Sequence, residues 1–184
     1  MWIMVYLFQE TLKKIFNQLP LPLAFLATGT IFGLLTEFFA VLNNLKLPPD
    51  KRILLHPNPA IDLLMGLFYY FLFIVTWYLL LRKIKFSKTA VFIFSGLFGI
   101  IVEQNGAILF GIFSNPLLGS LMAILVACVY GIFPLLAYTL TEERFIERRK
   151  VEPQHYLLAA FAFFLFWAIY GNIFYKGFIV LFPK

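Results

Sequence analysis

Between Leu63 and Leu81 the chain runs for nineteen residues without a charged side chain. Crossing about 30 Å of hydrocarbon takes roughly 20 apolar residues in a helix. Four more segments approach or exceed that length. The five expected spans are Leu21–Leu42, Ala60–Leu81, Thr89–Phe113, Leu117–Leu140 and Tyr156–Phe174. A short apolar tail, Gly177–Phe182, is expected at the interface. Backbone groups in lipid must bond within their own segment, so the spans are expected to be helices. A β-barrel would instead need alternating strands of about ten residues, which unbroken runs like this one exclude.

Composition agrees. The 184 residues are 62% hydrophobic and 13% charged, with mean hydropathy +0.89. Soluble domains hold roughly 45–50% apolar and about 25% charged residues. The expectation is an all-α integral membrane protein with the lipid bilayer as its solvent. The 24 Phe residues are read as apolar filler for lipid-facing and packing positions. Cys128 is alone, so no intrachain disulfide and no CxxC metal spacing can form.

Residues 1–19 mix Trp2, Ile3, Tyr6, Phe8, Leu12, Ile15 and Phe16 with Glu10, Lys13, Lys14 and Gln18. A secretory signal would place its basic residues before its apolar core, and here the order is reversed. This stretch reads as an amphipathic helix lying at the interface. Pro20 and Pro22 separate it from residues 20–184, a single transmembrane domain.

The net charge is +6, carried by loops rather than by a basic and aromatic surface stretch, so no nucleic-acid partner is expected. Lys13, Lys14, Arg82, Lys83, Lys85, Lys88, Arg144, Arg148, Arg149 and Lys150 fall on one side of a five-span arrangement. Lys46, Lys51, Arg52, Lys176 and Lys184 fall on the other. Ten against five places the N-terminus in the cytoplasm and the C-terminus outside a cell membrane.

An internal match adds organisation. Ile31-Phe32-Gly33-Leu34-Leu35-Thr36-Glu37 parallels Leu97-Phe98-Gly99-Ile100-Ile101-Val102-Glu103. Asn58-Pro59 precedes span two as Asn115-Pro116 precedes span four, and a Leu-Met pair follows each at the same distance. The reading is a tandem repeat of a two-helix hairpin, 21–81 and 89–140, followed by a fifth span at 156–174. Parallel repeats imply a pseudo-twofold axis along the membrane normal.

Gly29, Gly33, Glu37 and Ala40 share one helix face, as do Gly96, Gly99, Glu103 and Gly106. Small residues let membrane helices approach closely. Spans one and three are therefore expected to pack together or around a shared narrow cavity. Thr36, Gln104 and Asn105 are the expected partners of the carboxylates. A glutamate inside a span is costly and points to function. Glu37 and Glu103 are the candidate catalytic residues, working as a coupled acid–base pair. Asn44, His56, Asp62, Asn105 and Asn115 are candidate binding residues toward the outer side. The carboxylates with His56 could also bind a divalent metal, but no metal-binding spacing, P-loop or dinucleotide fingerprint is present, and the cofactor is unknown.

The segment Gly33–Val41, GLLTEFFAV, resembles the Gly-apolar-Glu-aromatic helix of carotenoid-modifying membrane hydratases and cyclases over nine residues. That resemblance implies a hydrophobic isoprenoid or lipid ligand. Three functions fit the sequence. The leading one is a noncatalytic subunit or assembly factor that binds partner membrane subunits. The others are a membrane-embedded acid–base enzyme acting on an isoprenoid or lipid, and a proton or cation transporter using the same glutamates.

Overall fold

The computed structural model describes residues 7–48 and 52–183. Trp2, Ile3 and Tyr6 of the expected amphipathic segment lie outside the described residues, as do Lys51 and Lys184 of the less basic side. The elements run in order as α1 (Gln9–Phe16), α2 (Leu21–Asn44), α3 (Pro59–Leu81), β1 (Ile84–Lys85), α4 (Lys88–Val102), a tight turn (Glu103–Gly106), α5 (Ala107–Ser114), α6 (Pro116–Thr141), β2 (Arg149–Lys150), α7 (Pro153–Ile169), a π-turn (Tyr170–Tyr175) and α8 (Lys176–Leu181). Five helical segments are long and apolar enough to cross a membrane. The chain is a multi-pass helical protein whose apolar helices suit contact with a bilayer.

Helix ends coincide with residues chemically suited to them. Ser87 accepts from the Ala90 N–H at the start of α4, and Asn115 accepts from the Leu118 N–H at the start of α6. These caps satisfy amide groups that a helix start leaves open. Pro59, Pro116 and Pro153 each open a helix, where a missing N–H costs nothing.

Two spans depart from the expected form. Span three is not continuous: α4 stops at Val102 and α5 restarts at Ala107. Span five does not end near Phe174. It continues through the π-turn into α8, so the tail expected to lie apart is a helical extension of the span.

The chain divides into two compact units. The first comprises Met1–Phe25 and Leu81–Val151. Here the N-terminal helix, the loop after α3 and the loop after α6 meet. Lys13 Nζ lies 2.9 Å from Glu143 Oε1, and this hydrogen bond holds the Lys13 ammonium above its ordinary value. Arg144 donates to the carbonyl oxygens of Phe16 and Leu19 at 3.1 and 2.7 Å, capping the end of α1. β1 pairs in parallel with β2, and Lys88 bonds Glu142 at 3.0 Å. Arg148 donates to Tyr138 Oη at 2.6 Å and lies over the rings of Tyr138 and Phe145. The three segments richest in Lys and Arg thus gather at one end of this unit. None of the side chains of α1 is buried.

The second unit comprises Leu26–Leu80 and Glu152–Lys184. Its spans two and five are joined by aromatic rings rather than by small residues. Phe73 meets Phe163 edge-on at 4.8 Å, and Tyr69 meets Tyr170 edge-on at 5.0 Å. Trp77, Phe73 and Phe163 are fully buried there. Such pairs contribute about 0.5–1.5 kcal/mol each beyond their buried area. Part of the Phe content is therefore a specific interhelical contact and not filler.

Candidate functional site

Glu37 and Gly33 lie one turn apart on α2, and Tyr70 and Gly66 lie one turn apart on α3. The two pairs interlock. A Cβ on Gly33 would come within 2.6 Å of Tyr70 Cγ, so the phenol ring lies against bare backbone. A Cβ on Gly66 would come within 3.0 Å of Glu37 Cγ, so the second glycine makes room for the glutamate. Held in this way, Tyr70 donates its hydroxyl hydrogen to Glu37 Oε2 at 2.8 Å.

The same three residue types recur in the other unit. A Cβ on Gly99 would come within 2.4 Å of Tyr130 Cγ, and Tyr130 donates to Glu103 Oε2 at 2.6 Å. Here the tyrosine's helix has Val126 one turn back, not glycine, and a second close approach pairs Gly96 with the Ala127 backbone. Both glutamates are half-buried.

These contacts correct one expectation. Each glycine stripe receives the tyrosine of the next span in its own hairpin. The partners of the carboxylates are likewise those tyrosines. Thr36 instead donates to the Phe32 carbonyl.

Glu103 occupies the point where span three unwinds. Its own backbone is extended, and Gln104, Asn105 and Gly106 follow with φ of 50, 56 and 86°. Non-glycine residues in this region cost of order 1–3 kcal/mol each. Helix packing alone does not call for such a break in an apolar span. Unwound backbone at membrane depth is tolerated where it is buried in protein or lines a cavity. Asn105, a candidate binding residue, is part of this turn with its side chain exposed.

Asp62 lies in the first turn of α3, where the helix dipole favours a carboxylate, and is fully buried. Its Oδ1 accepts from the N–H of Leu55 at 2.6 Å and of His56 at 3.1 Å. Its Oδ2 has no hydrogen-bond partner among the described residues. The Glu37 carboxyl group is its side-chain neighbour.

The remaining candidates are committed to backbone. His56 Nδ1 accepts from the Asn58 N–H at 3.0 Å, which leaves Nε2 to carry the proton and donate to the Phe182 carbonyl at 3.1 Å. The neutral ring thereby fastens the loop to the end of span five. Asn44 accepts from the Ile53 N–H and donates to the Ala40 carbonyl, and Asn115 is a helix cap. Among the described residues no group of three His, Cys, Asp or Glu is placed to hold a metal ion.

Tyr70, Tyr130 and the break are not among the features expected from the sequence. A span carboxylate calls for a donor on a neighbouring helix, and a hydroxyl-bearing Tyr is the commonest such residue in these spans. Asn105-Gly106 is a turn dipeptide set inside an apolar run. Compared with protein-family models, curated proteins and solved structures, the chain finds no match.

Proposed function

We propose that the protein is a membrane-embedded acid–base enzyme that uses Glu37 and Glu103 to move a proton on a lipid-soluble substrate of isoprenoid or similar chemistry. The observation that carries this reading is the unwinding of span three at Glu103, through two non-glycine residues in left-handed conformation. A carboxylate serving only to join helices is satisfied by its tyrosine and has no need of a broken helix. Phe38 and Phe39, which follow Glu37, and Ile101, which precedes Glu103, are exposed apolar side chains, as suits a site that meets a lipid-soluble substrate. A buried carboxylic acid can protonate an alkene or assist group transfer, with a typical contribution of roughly 10²–10⁴-fold.

The proposal extends to architecture. The Gly–Glu helix followed by a tyrosine-bearing helix, present in each unit, supports a duplicated hairpin. The gathering of basic segments supports α1 as an interfacial helix on the cytoplasmic face, with the C-terminus outside. To test the orientation, Cys128 is first replaced by Ser. Single cysteines at Lys46 or Leu47 should then react with an impermeant maleimide in intact cells, whereas those at Lys85 or Arg149 should react only after lysis. The reverse pattern overturns the orientation.

The activity is tested by expressing the chain in a host rich in isoprenoid lipids and comparing extracts by mass spectrometry. Wild type should change the lipid profile. Glu37→Gln and Glu103→Gln should each fold and each lose the change at least about 100-fold. The same break also favours the transporter reading, because discontinuous helices in carriers coordinate ions. In that case the lipid profile is unaltered by wild type, and proton flux into liposomes is lost in the Gln variants. A subunit or assembly role would leave both assays silent.

A further inference from the structure

We propose that Glu37 and Asp62 share a single proton, forming a carboxyl dyad within one hairpin. The proposal deepens the acid–base reading, since it takes Glu37 as a working carboxylate and names the group that sets its protonation.

Asp62 is fully buried, and two backbone amides saturate Oδ1. Oδ2 is equally buried and has no hydrogen-bond partner among the described residues. A buried acceptor without a partner is costly. The group beside it is not a donor but the carboxyl of Glu37. Two ionised carboxylates side by side in a low-dielectric site repel strongly, and an intramembrane charge is itself expensive. A proton between them removes the repulsion and one charge, and it gives Oδ2 the partner it lacks.

The surroundings favour one proton over two. Glu37 Oε2 accepts from Tyr70, and Asp62 Oδ1 accepts from two amides. Each carboxyl therefore keeps a set of donors suited to partial negative charge, and the net charge of the dyad is minus one. The other titratable groups that face it are His56 from the loop and Tyr170 from span five. His56 is neutral by its bonding pattern, and the Tyr170 hydroxyl donates to the Met65 carbonyl at 3.3 Å. Among the described residues, neither Lys nor Arg is one of the groups that act on Asp62.

Gly66 is the positioning residue of the dyad. Its missing Cβ is the space that Glu37 Cγ occupies.

The test is infrared spectroscopy of the purified full chain in lipid nanodiscs at neutral pH, read at the carbonyl stretch of a protonated carboxylic acid and identified by its shift in D₂O. Wild type should show the band in sodium chloride and in choline chloride alike. Glu37→Gln and Asp62→Asn should each lose the same band, and Glu103→Gln should keep it. Both substitutions preserve shape and one acceptor oxygen. If one variant fails to fold, the other carries the reading. A wild-type protein without the band overturns the dyad, as does a band that survives both substitutions. A band that appears only when sodium is withheld also overturns it, because the pair then holds a cation. The dyad and the acid–base reading fail separately. Loss of activity in Glu37→Gln without a wild-type band sinks the dyad alone. A band that both variants remove, with lipid chemistry intact in Glu37→Gln, sinks the acid–base role and leaves the dyad standing.

Discussion

Gly119→Ala should destabilise the protein more than any other single added methyl group. A Cβ at Gly119 would stand 2.2 Å from the Gly111 carbonyl oxygen, 2.3 Å from its carbon and 2.6 Å from the Ile112 nitrogen. All three are backbone atoms, so no side-chain rotation relieves the clash, and α5 must move away from α6. Overpacking typically costs 1–3 kcal/mol, and a backbone-on-backbone contact belongs at about 3 kcal/mol or above. Alanine in a helix gains roughly 1 kcal/mol over glycine. A net loss at Gly119 therefore understates the contact. Gly177→Ala supplies the control: nothing lies within 4 Å of its added Cβ, and its stability should hold or rise. Gly99→Leu should fall between them, since it expels the Tyr130 ring and breaks the bond to Glu103. Gly111→Leu should be milder than Gly99→Leu, because the Cβ there meets only the Gly119 Cα at 4.0 Å. Thermal unfolding of the purified variants measures the order. A Gly119→Ala variant that melts with wild type would show that the close approach of α5 and α6 is not maintained.

Much of this architecture is legible in the linear sequence because it depends on local quantities. The length of an apolar run decides whether a helix can cross a bilayer, and Leu63–Leu81 states that length directly. Intramembrane charge is equally local, so Glu37 and Glu103 stand out in any reading. What a side chain touches depends on the rotation and register of a second helix, and here sequence reasoning falls short. Gly33 and Gly99 mark close approaches correctly, yet nothing in their spacing says which span approaches. Tyr70 and Tyr130 look like ordinary apolar-span aromatics until they are seen lying on those glycines. Two principles compete at the break after Val102. Run length argues for one continuous helix, in which Gln104 and Asn105 read as partners of the carboxylates and Gly106 as part of the small-residue face. The extension of span five was missed for the converse reason: Lys176 reads as an end, although its ammonium is within 2.7 Å of Asn172 Oδ1, one turn back on a continuing helix. The adjacency of Asp62 and Glu37 depends on how α3, beyond its connecting loop, is turned against α2, which no periodicity encodes.

Asp62 is where that loop, span two and the chain end depend on a single side chain, and Asp62→Leu should expose the dependence. Leucine fits an apolar environment and removes a carboxylate that is costly to bury, so a purely hydrophobic account expects it to stabilise. The hydrogen bonds argue the opposite. Leucine leaves the N–H groups of Leu55 and His56 without their acceptor, at about 1–3 kcal/mol for the buried His56 donor and little for Leu55, which is exposed. It also removes the carboxylate from the first turn of α3, about 0.3–1 kcal/mol more. A net loss of roughly 1–4 kcal/mol is expected. Asp62→Asn keeps an oxygen for the two amides and turns an NH₂ toward Glu37, so it should stay within about 1 kcal/mol of wild type. The two variants should also differ at a distance. Once the His56 amide is released, its ring no longer holds the Phe182 carbonyl. Hydrogen exchange in residues 176–183 should then accelerate in Asp62→Leu and remain at the wild-type rate in Asp62→Asn. An Asp62→Leu protein as stable as wild type, with unaltered exchange at its C-terminal end, would show that Asp62 does not anchor the loop, and the orphaned Oδ2 would lose its significance along with it.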